Sequence, residues 1–132
     1  MPVASVGDAA TATLSVDQST IDQYAALTGD DNPLHLDAEY AADGMFGGPI
    51  AHGMLTAGVI SAAMADLPGD VIYRSQELRF EAPVRPGDTV TATAEVTEAL
   101  GGDRLAVETT AETATETVVT GDAVVLSIEH DA

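Results

Sequence analysis

Residues 53–66 read "GMLTAGVISAAMAD". The stretch is apolar nearly all round a helical wheel, and Ala57, Gly58, Ser61, Ala62 and Ala65 give it one flank of small residues. A helix of this kind has no solvent face of its own, so it must be buried with something packed tightly on it. Thr56, Ser61 and the glycines make the segment too short and too mixed to span a bilayer. The rest of the chain has to supply a layer that encloses it.

That layer is announced by a change of period. Val90, Ala92, Ala94 and Val96 alternate with Thr91, Thr93, Glu95 and Thr97, and the "GGD" at 101–103 separates this run from a second one starting at Leu105 and Val107. These are expected to be paired antiparallel strands. Residues 71–82, 104–116 and 122–129 complete the set, with 9–15 as a short strand at the start; helix is tolerable around 111–116, but the interleaved Thr favour strand. Between them, Ser19 is expected to cap a helix with Asp22 three residues on, followed by Ile21, Tyr24, Ala25 and Leu27 at helical spacing and stopped by Gly29. Asp37 is expected to cap a short helix over 38–43 closed by Gly44. A strand, then helices, then four long strands, with one helix apolar throughout, predicts an α+β domain spanning 1–132: a curved antiparallel β-sheet wrapped around a long central helix.

Composition narrows the function. Only 4% of the 132 residues are aromatic although 45% are hydrophobic, so the core is built from Ala, Val, Leu, Ile and Met and its backbones approach closely. Cysteine is absent, which excludes disulfides, thiolate metal sites and a cysteine nucleophile and suits a reducing cytoplasm. The start "MPVASVGD" has no basic region before an apolar one, so no secretory signal is expected. Twenty-two acidic residues against four arginines (Arg74, Arg79, Arg85, Arg104) give a net charge of −18, which repels nucleic acid and anionic membrane surfaces. The acids are spread among well-patterned segments rather than blocked together, and are read as adaptation to high salt.

Two loops concentrate chemistry. "TGDDNPLHLD" (28–37) carries Asp30 and His35, with Pro33 fixing its own φ and pushing Asn32 out of the helical region, so the separation of acid and imidazole is held. On their own such residues are ordinary loop caps and surface groups. "GGPIAHGML" (47–55) then turns the chain into the apolar helix, putting His52 and Gly53 at its N-terminus, where free amides at the positive end of the helix dipole make a ready oxyanion hole.

Together "GDDNPLH" (29–35) and "PIAHGML" (49–55) resemble the MaoC-like (R)-specific enoyl-CoA hydratases, whose signature is Gly-Asp-any-Asn-Pro-Leu-His; the likeness extends through the helix and "ELRFEAPVRPGDTVTATAEV" (77–96). It implies a hot-dog fold, usually dimerised, acting on acyl-CoA at the subunit boundary. On this alignment Asp30 is the motif's acid and Asp31 its variable position. The resemblance implies that Asp30 and His35 activate a water for attack on C3 of a trans-2-enoyl thioester and return a proton to C2 on the same face. The Gly53 amide holds the thioester oxygen, and Ser61 matches a serine near the dyad. Asn32, Pro49, His52 and Met54 are expected around the substrate, His52 also shaping the helix start. No cofactor is expected, coenzyme A being part of the substrate, and no metal: Asp30, His35, Asp37 and His52 lack tight ligand spacing. Arg74, Arg79 and Arg85 are candidates for CoA phosphates. The rival readings are an acyl-CoA thioesterase, for which Asp66 is poorly placed, and a noncatalytic acyl-CoA-binding subunit, which has no use for an Asp and His pair.

Overall fold

The computed structural model describes residues 1–130. Strand β1 (Ala9–Val16) leads into helices α1 (Gln18–Thr28), α2 (Pro33–Leu36), α3 (Ala38–Ala42) and α4 (Gly53–Ala65), followed by β2 (Asp70–Phe80), β3 (Asp88–Gly101), β4 (Arg104–Glu112) and β5 (Thr117–Ile128). The strands form one sheet in the order β1-β3-β4-β5-β2, every neighbouring pair antiparallel. This is the hot-dog fold: α4 is the filling and the sheet bends around it.

The alternation in β3 places Val90, Ala92, Ala94 and Val96 on the core face, none more than 1% exposed. Register carries the pattern across the sheet. Ala10 pairs with Ala94, Ala94 with Thr109 and Thr109 with Gly121, while Ala12 pairs with Ala92 and Ala92 with Ala111. Two rows of small side chains therefore cross the middle of the sheet and let it come close to α4, whose Thr56, Val59, Ile60, Ala63 and Met64 are buried against it. The small flank of α4 faces the other way. Gly53, Met54, Gly58, Ser61, Ala62 and Ala65 are exposed, so one chain covers only half of the helix that the sequence marks as wholly apolar.

Several local expectations shift. The cap of α1 is Asp17, not Ser19: its carboxylate accepts the Thr20 amide at 2.9 Å, and the Asp17 amide in turn donates to the Thr20 hydroxyl at 3.3 Å. Ser19 instead donates its hydroxyl to the same carboxylate at 2.7 Å. That bond, with those from Thr20, holds the Asp17 carboxyl down at about 2. Gly29 does end α1, at φ +83°. Residues 33–36, expected as loop, form one helical turn because Asn32 accepts the Leu34 amide at 3.1 Å and Pro33 occupies the first turn. The strand expected over 104–116 stops at Glu112, since Thr113 turns the chain by donating its amide to the Glu116 carbonyl at 2.9 Å; β5 consequently starts at Thr117 rather than 122.

The β2–β5 register shifts between Tyr73 and Ser75, leaving Arg74 without a cross-strand partner. Buried Ser127 accepts the Ala4 amide and donates to the Pro68 carbonyl, both at 2.9 Å, fastening the start of the chain and the α4–β2 turn to the last strand.

Candidate active site

His35 is fixed from two sides. Its backbone carbonyl accepts the Gln18 side-chain amide at 2.9 Å, and its Nδ1–H donates to the Ile50 carbonyl at 2.7 Å. A carbonyl can only accept, so Nδ1 carries a hydrogen, which in the neutral ring leaves the lone pair on Nε2. Ile50 is steadied in turn by its neighbour Ala51, whose amide donates to the Val84 carbonyl at 2.7 Å.

His52 stands at the N-cap of α4 without capping it. Its ring is 2% exposed, Nε2–H donates to the Asp30 carbonyl at 2.9 Å, and Nδ1 is buried without a partner. The His35 ring stacks on it at a centroid distance of 3.9 Å and 29° between planes, with Tyr24 tilted against it at 4.6 Å. Because His52 offers no cap, the Gly53 and Met54 amides have no acceptor among the described residues and sit at the positive end of α4.

Asp30 leaves α1 just past Gly29, its carboxylate exposed to solvent. One polar atom from each of Asp30, His35 and His52 lies within 4.8 Å of the other two, a span that a single water bridges at ordinary hydrogen-bond length. These residues and Gly53 open onto a cavity of about 520 Å³ whose remaining wall is mainly apolar, with Phe46, Ile50, Phe80 and Val84 prominent. A reactant in it meets a carboxylate, a basic imidazole nitrogen and free amides around an oily chamber. The same three residues are a donor set that could hold a metal ion: carbonyl bonds occupy His35 Nδ1 and His52 Nε2 and leave the other nitrogen of each ring unbonded, while Asp37 is elsewhere, capping α3 through the Glu39 and Tyr40 amides at 3.0 and 3.1 Å.

The sequence profile of the MaoC-like domain family matches residues 4–119. The chain belongs to the MaoC-like domain family. It is 42% identical over 123 residues to an (R)-specific enoyl-CoA hydratase of Rhodospirillum rubrum, covering 91% of this chain and 85% of that one. It is 43% identical over 113 residues to a 3-hydroxybutyryl-CoA dehydratase of Methylorubrum extorquens, covering 83% and 72%. Among solved structures, an unliganded R-hydratase of Pseudomonas aeruginosa superposes with a TM-score of 0.87 at 39% identity over 98% of this chain and 88% of that one.

Of the residues singled out from sequence, this MaoC-like domain brings together Asp30, His35, His52, Gly53 and Met54 around one cavity. Asn32 is exposed and spends its side chain on capping α2, and Pro49 lies just outside the lining. Ser61 does not join the dyad within this chain: eight residues beyond Gly53 it lies about 12 Å further along α4 and roughly 80° round it. It borders a second, shallower cavity of about 420 Å³ with Met54, Tyr73 and Arg74. Tyr73 keeps its phenol proton more firmly than usual because burial disfavours the phenolate. Of the arginines, Arg74 borders that second cavity with no side-chain partner among the described residues, Arg85 donates to the Phe46 carbonyl at 2.8 Å, and Arg79 pairs with Glu77 at 2.9 Å. Phe46, Phe80, Val84 and Val119 are wall residues that sequence reading missed; they come from distant segments and share no spacing signal.

Proposed function

We propose that the chain is an (R)-specific enoyl-CoA hydratase that adds water reversibly across the double bond of a trans-2-enoyl-CoA to give (R)-3-hydroxyacyl-CoA. The observation that carries the reading is the convergence of an Asp30 carboxylate oxygen and a His35 ring nitrogen within 4.8 Å of each other, beside the free Gly53 amide. A water held between the dyad residues gives up a proton as its oxygen bonds C3. The C2=C3 electron pair moves toward the thioester oxygen, and the Gly53 amide donates a hydrogen bond to that oxygen as it gains charge. The dyad then returns one proton to C2, so water is consumed and the enzyme regenerated. Both additions come to the face of the C2=C3 double bond on which the dyad stands, which makes the addition syn. No Lewis acid is needed, because the α4 amides already meet the developing negative charge.

The uncovered small flank of α4, continuous with exposed Met54 and the second cavity, supports a homodimer or larger assembly in which a second copy seats there and the CoA portion runs along the boundary. Arg74 is the arginine best placed to meet CoA phosphate, being on the cavity wall and without a carboxylate partner among the described residues. With a net charge of −18 the reading includes work in concentrated salt within the cytoplasm.

Purified protein incubated with crotonyl-CoA in several molar KCl tests the proposal: enoyl absorbance falls without release of free thiol. Free thiol indicates a thioesterase. No change indicates an acyl-CoA binder, and either outcome overturns the reading.

A further inference from the structure

The His52 side chain contacts both halves of the proposed dyad. Its Nε2–H donates to the backbone carbonyl of Asp30 at 2.9 Å and its face carries the His35 ring at a centroid distance of 3.9 Å, while the Tyr24 ring is tilted against it at 4.6 Å. His52 itself is 2% exposed, although its bond to exposed Asp30 is only part-buried. The partner of Nε2 is a carbonyl, so that nitrogen carries the hydrogen; a second hydrogen on the buried, unpartnered Nδ1 would have no acceptor. Such an arrangement is not explained by shaping the helix start, because His52 makes no capping bond to α4. Aromatic stacking and a hydrogen-bond donor on the same rigid ring are what tie a loop carbonyl to a neighbouring imidazole.

We infer that His52 is a positioning residue that sets the distance between the Asp30 carboxylate and His35 Nε2, acting through the Asp30 carbonyl and the stacked ring rather than on the substrate. The inference rests on the hydratase reading for its kinetic consequence and on the geometry alone for its spectroscopic one. Misplacing a catalytic group slows the chemical step more than it weakens binding.

The test uses His52→Phe, which keeps a stacking ring but loses the donor, and His52→Gln, which restores an N–H near the Nε2 position. With crotonyl-CoA, His52→Phe is expected to lower kcat about tenfold or more with KM within about twofold, and His52→Gln to recover most of that loss. In an Asp30→Asn background the same His52→Phe change is expected to have little further effect, since its target is already disabled. A full-sized additional loss there, or a rise in KM alone, overturns the inference. Nitrogen-15 spectra of the wild-type protein decide it without substrate: hydrogen on Nε2 of His52 and on Nδ1 of His35 supports it, and the opposite tautomer at either ring refutes it. Wild-type protein that shows these tautomers and fails to hydrate crotonyl-CoA refutes the functional reading and leaves the positioning geometry standing.

Discussion

Phe80 lies over Gly53 so closely that a methyl group at position 53 would come within 2.6 Å of its ring carbon Cε1. The absent side chain lets the β2 aromatic form the cavity wall directly against the amide proposed to receive the thioester oxygen. The clash is with the far end of a half-exposed side chain, so the fold tolerates it and the cavity does not. Gly53→Ala is expected to keep its melting temperature within a few degrees while kcat/KM for crotonyl-CoA drops at least about tenfold, and Phe80→Ala in the same chain to restore part of it.

Asp30 and His35 differ in what they do for the fold. The Asp30 carboxylate is exposed, whereas His35 ties α2 to the Ile50 carbonyl. Asp30→Asn is therefore expected to lower kcat about 10²–10⁴-fold with stability unchanged. His35→Ala should lower it comparably and also lose about 1 kcal/mol of unfolding free energy by denaturant titration.

The small-residue rows of the sheet predict intolerance to bulk. Ala92 is fully buried between Ala12 and Ala111, directly under α4. Ala92→Leu is expected to destabilise by about 1–3 kcal/mol, seen as a lower urea midpoint with the slope retained.

The Asp17 cap gives a pH signature. Its carboxyl is held down to about 2 in the folded chain against an ordinary 3.8, so the folded state binds the proton less readily than the unfolded one. The contribution is fully present above about pH 4 and is lost as pH falls through about 2. Asp17→Ala should lower the melting temperature at neutral pH, and the gap between variant and wild type should close on acidification toward pH 2.

Salt dependence follows from how few acids are paired. Among the described residues the ion pairs are Arg79 with Glu77, the N-terminal amine with Asp103, and His130 with Asp70, the last needing a protonated ring, set against a net charge of −18. Melting temperature is expected to climb as KCl is raised from ~0.1 to ~1 M, where the screening length shortens from ~10 to ~3 Å. A flat profile would contradict the high-salt reading.

The sheet and the central helix were legible because their signals are periodic: β3 declares its buried face residue by residue, and an apolar stretch such as 53–66 has few places to go. Which acceptor caps α1 was not legible, since Asp17 and Ser19 are both capping residues and the choice depends on where β1 releases the chain. Thr113 ended β4 early through a turn that strand propensity does not weigh. At the site, Asp30, His35 and Gly53 lie in compact local motifs and could be found by reading. Ser61 could not be placed, because the rotation of α4 decides which cavity it borders. Phe80 and Val119 reach the wall only through β2–β5 pairing, where they sit in register, a relationship that no local window contains.

That pairing has a consequence for synthesis. β2 has a single sheet neighbour, β5, and the Ser127 fastening of the first residues also waits for β5. On the ribosome, the backbone edge of β2 waits unpaired while β3 and β4 are made, until β5 has emerged to pair with it. A surface of like charges keeps the waiting nascent chains apart.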